Sequence, residues 1–93
     1  MANVGTPFKA PSAQRLPDIL VGCGRVVIRV DDTTGTDKII IRIDPNAVVD
    51  AAHANFFLKA GESIEISGHA IQKASDVSVL ATSGTPDIYW GIV

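Results

Sequence analysis

Residues 58–93 read LKAGESIEISGHAIQKASDVSVLATSGTPDIYWGIV, and this stretch decides the fold class. Three short segments, Ser63 to Ile66, Asp76 to Ala81 and Ile88 to Val93, alternate apolar with polar side chains. Residues of one parity turn inward in each: Ile64 and Ile66, then Val77, Val79 and Ala81, then Ile88, Trp90 and Ile92. Successive strand side chains point to opposite faces, so a period of two punctuated by Gly, Pro and Ser specifies antiparallel strands with one buried face. Lys59 to Glu62 (KAGE) turns the chain at Gly61, and Ser83–Gly84–Thr85 is turn chemistry before Pro86.

Working backwards, Phe56 and Leu58 enter the sheet just before that turn. Leu20 to Val30 holds one long or two short strands, with Gly22 and Gly24 permitting a bulge or bend. Val26, Ile28 and Val30 share one face there, and Ile39, Ile41 and Ile43 share one face of Lys38 to Asp44. The polar DDTTGTD of residues 31–37 separates the two runs. As a hairpin they would set Val30 opposite Ile39, Ile28 opposite Ile41 and Val26 opposite Ile43. Asp31 would then face Lys38, and Arg25 would face Asp44, each pair contributing roughly 0.2–1 kcal/mol. A one-residue slip would place Val30 opposite Lys38 and mix the faces, so this register is the expected one. Pro45 ends the second run because it has no amide to donate. NAVVDAAHAN, residues 46–55, reads as a short strand plus a loop.

The first fifteen residues form an extended N-terminal arm, with Pro7 and Pro11 favouring extended neighbours and Phe8 as its one large apolar side chain. Residues 16–93 form a single domain, starting from Leu16, Pro17, Ile19 and Leu20. The expected fold is all-β, an antiparallel, jelly-roll-like β-sandwich.

Composition narrows the function. A chain of 93 residues buries only roughly 60–65% of its unfolded surface. Charged residues are 19%, below the usual ~25%, while 46% are hydrophobic. So small and weakly charged a protein favours self-association or docking on a larger surface. The net charge of −2 with no basic run argues against nucleic acid. There is no membrane-length apolar stretch and no secretory signal pattern, and Cys23 is alone, which together suggest an intracellular origin.

No motif for chemistry stands out. Asp31, Asp32 and Asp37 lack the spacing and closing Glu of a calcium loop. His53 and His69 have no partner at zinc-ligand spacing, so they are expected at the surface or rim. Cys23, in an apolar strand region without a nearby His, is expected to be an inert small hydrophobe. Gly22–Cys23–Gly24 lacks the Lys and Ser/Thr of a phosphate loop. The reading is therefore a non-enzyme with no cofactor and no metal. Tyr89 and Trp90 are adjacent and must face opposite ways; Trp90 shares parity with the core, leaving Tyr89, with Val93, as an exposed contact candidate.

SAQRLP at residues 12–17, LKAGESIEI at residues 58–66 and the closing segment from Asp76 to Val93 resemble small virion proteins of tailed bacteriophages. That resemblance implies a capsid decoration (cement) protein, made in the host cytoplasm and bound to the capsid exterior as a homotrimer, with the major capsid protein as its partner. The alternative is a fibre or tail accessory module that binds a host carbohydrate or receptor, with Tyr89 as its platform. The expected partner-binding residues are Phe8, Pro11, Arg15, Tyr89 and Val93.

Overall fold

A computed structural model describes residues 7–31, 36–68 and 71–93. The strands are β1 (Gln14–Arg15), β2 (Arg25–Val30), β3 (Lys38–Ile43), β4 (Phe56–Lys59), β5 (Ser63–Ser67), β6 (Val77–Ser83) and β7 (Ile88–Ile92). A 3-10 turn, Ala74–Asp76, precedes β6. The strands form two antiparallel sheets, one ordered β1-β6-β3-β4 and the other β5-β2-β7. This is a β-sandwich.

The inward residues are those the alternation assigns. Val26, Ile28 and Val30 of β2, Ile39 and Ile41 of β3, Val77 and Val79 of β6, and Ile88 of β7 have no solvent exposure. Leu58 and Ile66 join them, and Trp90 and Ile92 pack half-buried against the cluster. Burial of these β-branched side chains between two pleated surfaces is the main term holding the sheets together.

The hairpin expected between β2 and β3 does not form. Each belongs to a different sheet: β2 sits between β5 and β7, and β3 between β6 and β4. Val26 lies opposite Ile66 and Ile92, while Ile39 lies opposite Leu58 and Ala81. The two apolar rows therefore face each other across the core. Arg25 pairs with Glu65 at 2.7 Å, and Asp44 with Arg42 at 2.9 Å. Facing rows exclude water from both at once, whereas the charge pairs invoked for the hairpin are small, exposed terms.

Of the five links between successive strands from β2 to β7, only that from β3 to β4 stays within one sheet. The link from β4 to β5 turns at Gly61, whose φ is 83°, and Glu62 N–H donates to the Lys59 carbonyl at 3.0 Å. Gly22 likewise adopts a φ of 64°, so the chain before β2 bends instead of running as a longer strand. Cys23 is exposed in that turn, not buried in a strand.

Residues 46–55 contain no strand, only a bridge between Asp50 and His53. Side chains take the backbone groups a ladder would need: Asp44 Oδ1 accepts from Asn46 N–H, and Asp50 Oδ1 from Ala52 N–H, both at 2.8 Å. Asn55 Oδ1 likewise accepts from Ile43 N–H at 2.7 Å. The segment folds back over the outer face of β6. There Val49 is buried, and its N–H donates to the buried Ser78 Oγ at 2.8 Å.

The described part of the arm, residues 7–15, lies along its own domain. Phe8 exchanges two backbone hydrogen bonds with Ile88, at 3.0 and 2.8 Å. Ala81 N–H donates to the carbonyl of the fully buried Ala10 at 2.8 Å, and Gln14–Arg15 pair with Val79 and Ser78. The arm thus ties β7 of one sheet to β6 of the other.

Candidate docking face

Strands β3, β4 and β6 depart from strict alternation at the same level of the sheet. Each carries three successive apolar residues: Ile39–Ile40–Ile41, Phe56–Phe57–Leu58 and Val79–Leu80–Ala81. Ile39, Ile41, Leu58 and Val79 point into the core. The middle residue of each triplet consequently points outward. Ile40 lies opposite Phe57 on β4 and opposite Leu80 on β6, so the three form one row across the outer face. Ile40 and Leu80 are half-buried, and Phe57 is 66% exposed. Scattered apolar residues on a surface are ordinary, whereas register aligns these three into one apolar row.

The row is framed on both sides along the strand direction. On one side Lys38 and Lys59 are directly opposite each other and exposed. On the other, Arg42 and Ser78 are neighbours, with Arg15 beyond them on β1. Arg42 Nη1 donates to the Val48 carbonyl at 3.2 Å, and its Nη2 pairs with Asp44. These bonds, with the Val49–Ser78 bond, hold the loop beside Arg42 and Ser78, where Val48 is exposed. The Asp44 carboxyl is held below its ordinary range, first by the Asn46 amide and then by the charge of Arg42. β4 closes this sheet on the row's far end, with Phe56 40% exposed.

The five residues expected to bind partners are scattered. Phe8 and Arg15 line a shallow cleft with Pro7, Gln14, Leu16, Pro17 and Trp90. Phe8 is half-buried against its own core instead of standing free as an anchor. Arg15 is a brace: Nη1 donates to the Asp44 carbonyl at 2.9 Å and to the Ser75 carbonyl at 2.7 Å, tying three chain segments together. Pro11 is exposed at a bend. Tyr89 is half-buried, and the Arg29 guanidinium sits 4.5 Å from its ring centroid, covering one face. Val93 is exposed, with its backbone paired to Arg25.

Sequence reasoning passes over Ile40, Phe57 and Leu80. Their signal is the triplets themselves, since strands apolar on both faces are those covered on both sides.

His53 Nδ1 lies 2.9 Å from Asp50 Oδ1 on an exposed turn, and the Asp50 carboxyl is lowered chiefly by that ring hydrogen bond. Among the described residues, no three His, Cys, Asp or Glu side chains gather into a metal site. His69 and part of the acidic loop, including Asp32, lie outside them. No described helix is long and apolar enough to cross a membrane. No protein-family model, curated protein or solved structure matches this chain.

Proposed function

We propose that this protein is a structural docking module, and specifically a decoration (cement) protein bound to the exterior of a bacteriophage capsid. The observation that carries the reading is the outward row of Ile40, Phe57 and Leu80 on an otherwise well-packed sandwich. A rigid sheet presenting an apolar row loses little conformational freedom on docking, which suits a protein that reinforces a larger surface. The major capsid protein is the proposed partner, and the row is its contact. Contacts between copies, in a homotrimer, fall to other exposed apolar residues, Ile19, Leu20 and Val93 among them. Closed cyclic symmetry then satisfies each subunit's interface.

Two measurements test this. Light scattering coupled to size exclusion is expected to give about three times the 9.8 kDa chain mass. Co-sedimentation with expanded phage shells is expected for the wild type and lost for F57S combined with I40S. Shell binding that survives the double substitution would remove the row from the interface. A monomer that ignores every shell would overturn the decoration reading.

A further inference from the structure

We propose that the outer face of β3, β4 and β6 takes an acidic partner, an extended segment of a different protein. Its apolar side chains cover Ile40, Phe57 and Leu80, and its carboxylates meet Lys38 and Lys59. This rests on the reading of that face as a docking surface and adds the chemistry of what docks there.

The first argument is the placement of charge. Lys38 and Lys59 are cross-strand neighbours, an arrangement that is unfavourable between like charges. Among the described residues neither ammonium has an ion-pair partner. Glu62 and Asp37, near them in the chain, form an ion pair with neither. Glu62 Oε1 accepts from the Lys59 backbone N–H at 2.7 Å, and the Asp37 carboxylate fills the space where a side chain on Gly84 would stand. Among the described residues, two cations without an ion pair therefore sit beside the apolar row, in a chain whose net charge is negative. A partner carboxylate placed there relieves the repulsion and is steered to the row by the same field.

A second copy of this chain packed on the same face about a two-fold axis meets the wrong charge there. A closed dimer packed face to face has a two-fold axis lying between its sheets. With the axis along the strands, the Lys38–Lys59 corner meets its own equivalent. With the axis along the row, it meets the Arg42 and Arg15 side of the other copy. Both arrangements bring cation to cation. Neither delivers a free carboxylate, because Asp44 is already paired with Arg42.

The third argument concerns shape. The row runs across three strands and ends at β4, the edge strand of this sheet among the described residues. An extended segment laid along the row can place alternate side chains against it and reach both lysines, a geometry that alternating apolar and acidic residues satisfy.

The test uses the whole protein, isotope-labelled, and three synthetic peptides of about ten residues in which leucine alternates with glutamate, serine or lysine. Amide chemical shifts are followed during titration at low and at high salt. The glutamate peptide is expected to perturb residues 38–41, 57–59 and 80 and to bind about tenfold tighter than the serine peptide at low salt, with the difference shrinking as salt rises. K38E combined with K59E, checked for an unchanged melting curve, is expected to reverse the order and favour the lysine peptide. Equal affinity of all three peptides for the face would overturn the acidic-partner inference and leave the docking face standing. If no peptide perturbs the face while F57S abolishes self-association, a second copy is the occupant and the inference falls. If no peptide binds and F57S changes neither assembly nor shell binding, the docking reading falls with it.

Discussion

Replacing Ser78 by alanine tests how the loop over β6 is held. Ser78 is fully buried, Val49 is 1% exposed, and the Val49 N–H reaches Ser78 Oγ at 2.8 Å. Alanine removes the acceptor and leaves a buried amide without a partner, which costs about 1–3 kcal/mol. For a domain of this size each kcal/mol corresponds to roughly 4–8 °C of melting temperature, so S78A is expected to melt about 5–20 °C lower. Thermal unfolding by circular dichroism measures the loss, and amide hydrogen exchange localises it. Val49 is expected to lose protection while Ile41, deep in the sheet, keeps its protection at conditions far from unfolding. S78T retains the hydroxyl but adds a methyl group to a filled site, costing about 1–3 kcal/mol through overpacking, so it is expected to lower the melting temperature while preserving Val49 protection. An S78A protein that melts like wild type with Val49 still protected would show that the bond does not hold the loop.

F57S is expected to change stability by less than about 0.5 kcal/mol, because the side chain is 66% exposed. It should nevertheless weaken docking by about 2.5–4 kcal/mol, the value of burying roughly 100–160 Å² of ring, as read by co-sedimentation. G68A and G22A separate two reasons for glycine in one melting experiment. A Cβ on Gly68 overlaps the Gly22 carbonyl oxygen, whereas Gly22 has open space but a φ of 64°. G68A is expected to cost about 1–3 kcal/mol or more by overpacking, and G22A about 1–2 kcal/mol by left-handed strain alone. Deleting residues 1–11 removes the Phe8–Ile88 and Ala10–Ala81 bonds. At about 0.5–1.5 kcal/mol each, the loss of these three bonds is expected to lower urea resistance by roughly 1.5–4.5 kcal/mol; an unchanged midpoint would show that the arm contributes nothing to its own domain. Asp50 has its carboxyl lowered from 3.8 by the His53 ring hydrogen bond and then the Ala52 amide. Its stabilisation is therefore present above that unfolded value and fades as pH falls through the lower folded one. D50N is expected to melt below wild type at neutral pH and to converge with it in strong acid.

Local order is legible in the chain itself. The inward faces of β2, β3, β5, β6 and β7 follow from parity, because a strand's pleat is a property of its own backbone. The turn at Gly61 follows similarly from glycine's access to positive φ. The apolar triplets in β3, β4 and β6 are also visible there, but only their register shows that Ile40, Phe57 and Leu80 are neighbours. Arg15 illustrates the opposite case. Nothing near it in the chain indicates that its guanidinium reaches the carbonyls of Asp44 and Ser75, so local sequence suggests a surface contact where the fold has a brace.

The amino-acid sequence by itself determined that the chain is a β-sandwich, where most strands begin and end, and which side chains they bury. Tertiary structure alone decided which strands are partners, how the arm ties the two sheets together, and where the outward apolar residues meet. The physical reason lies in the range of the interactions. Alternation, turn geometry and the loss of a proline amide act within a few residues. An inward-facing apolar row is equally satisfied by a cross-strand neighbour or by a row on the opposite sheet. Only the packing of the whole core, set by pairings such as Val26 with Ile92 and Ile41 with Val79, distinguishes the two.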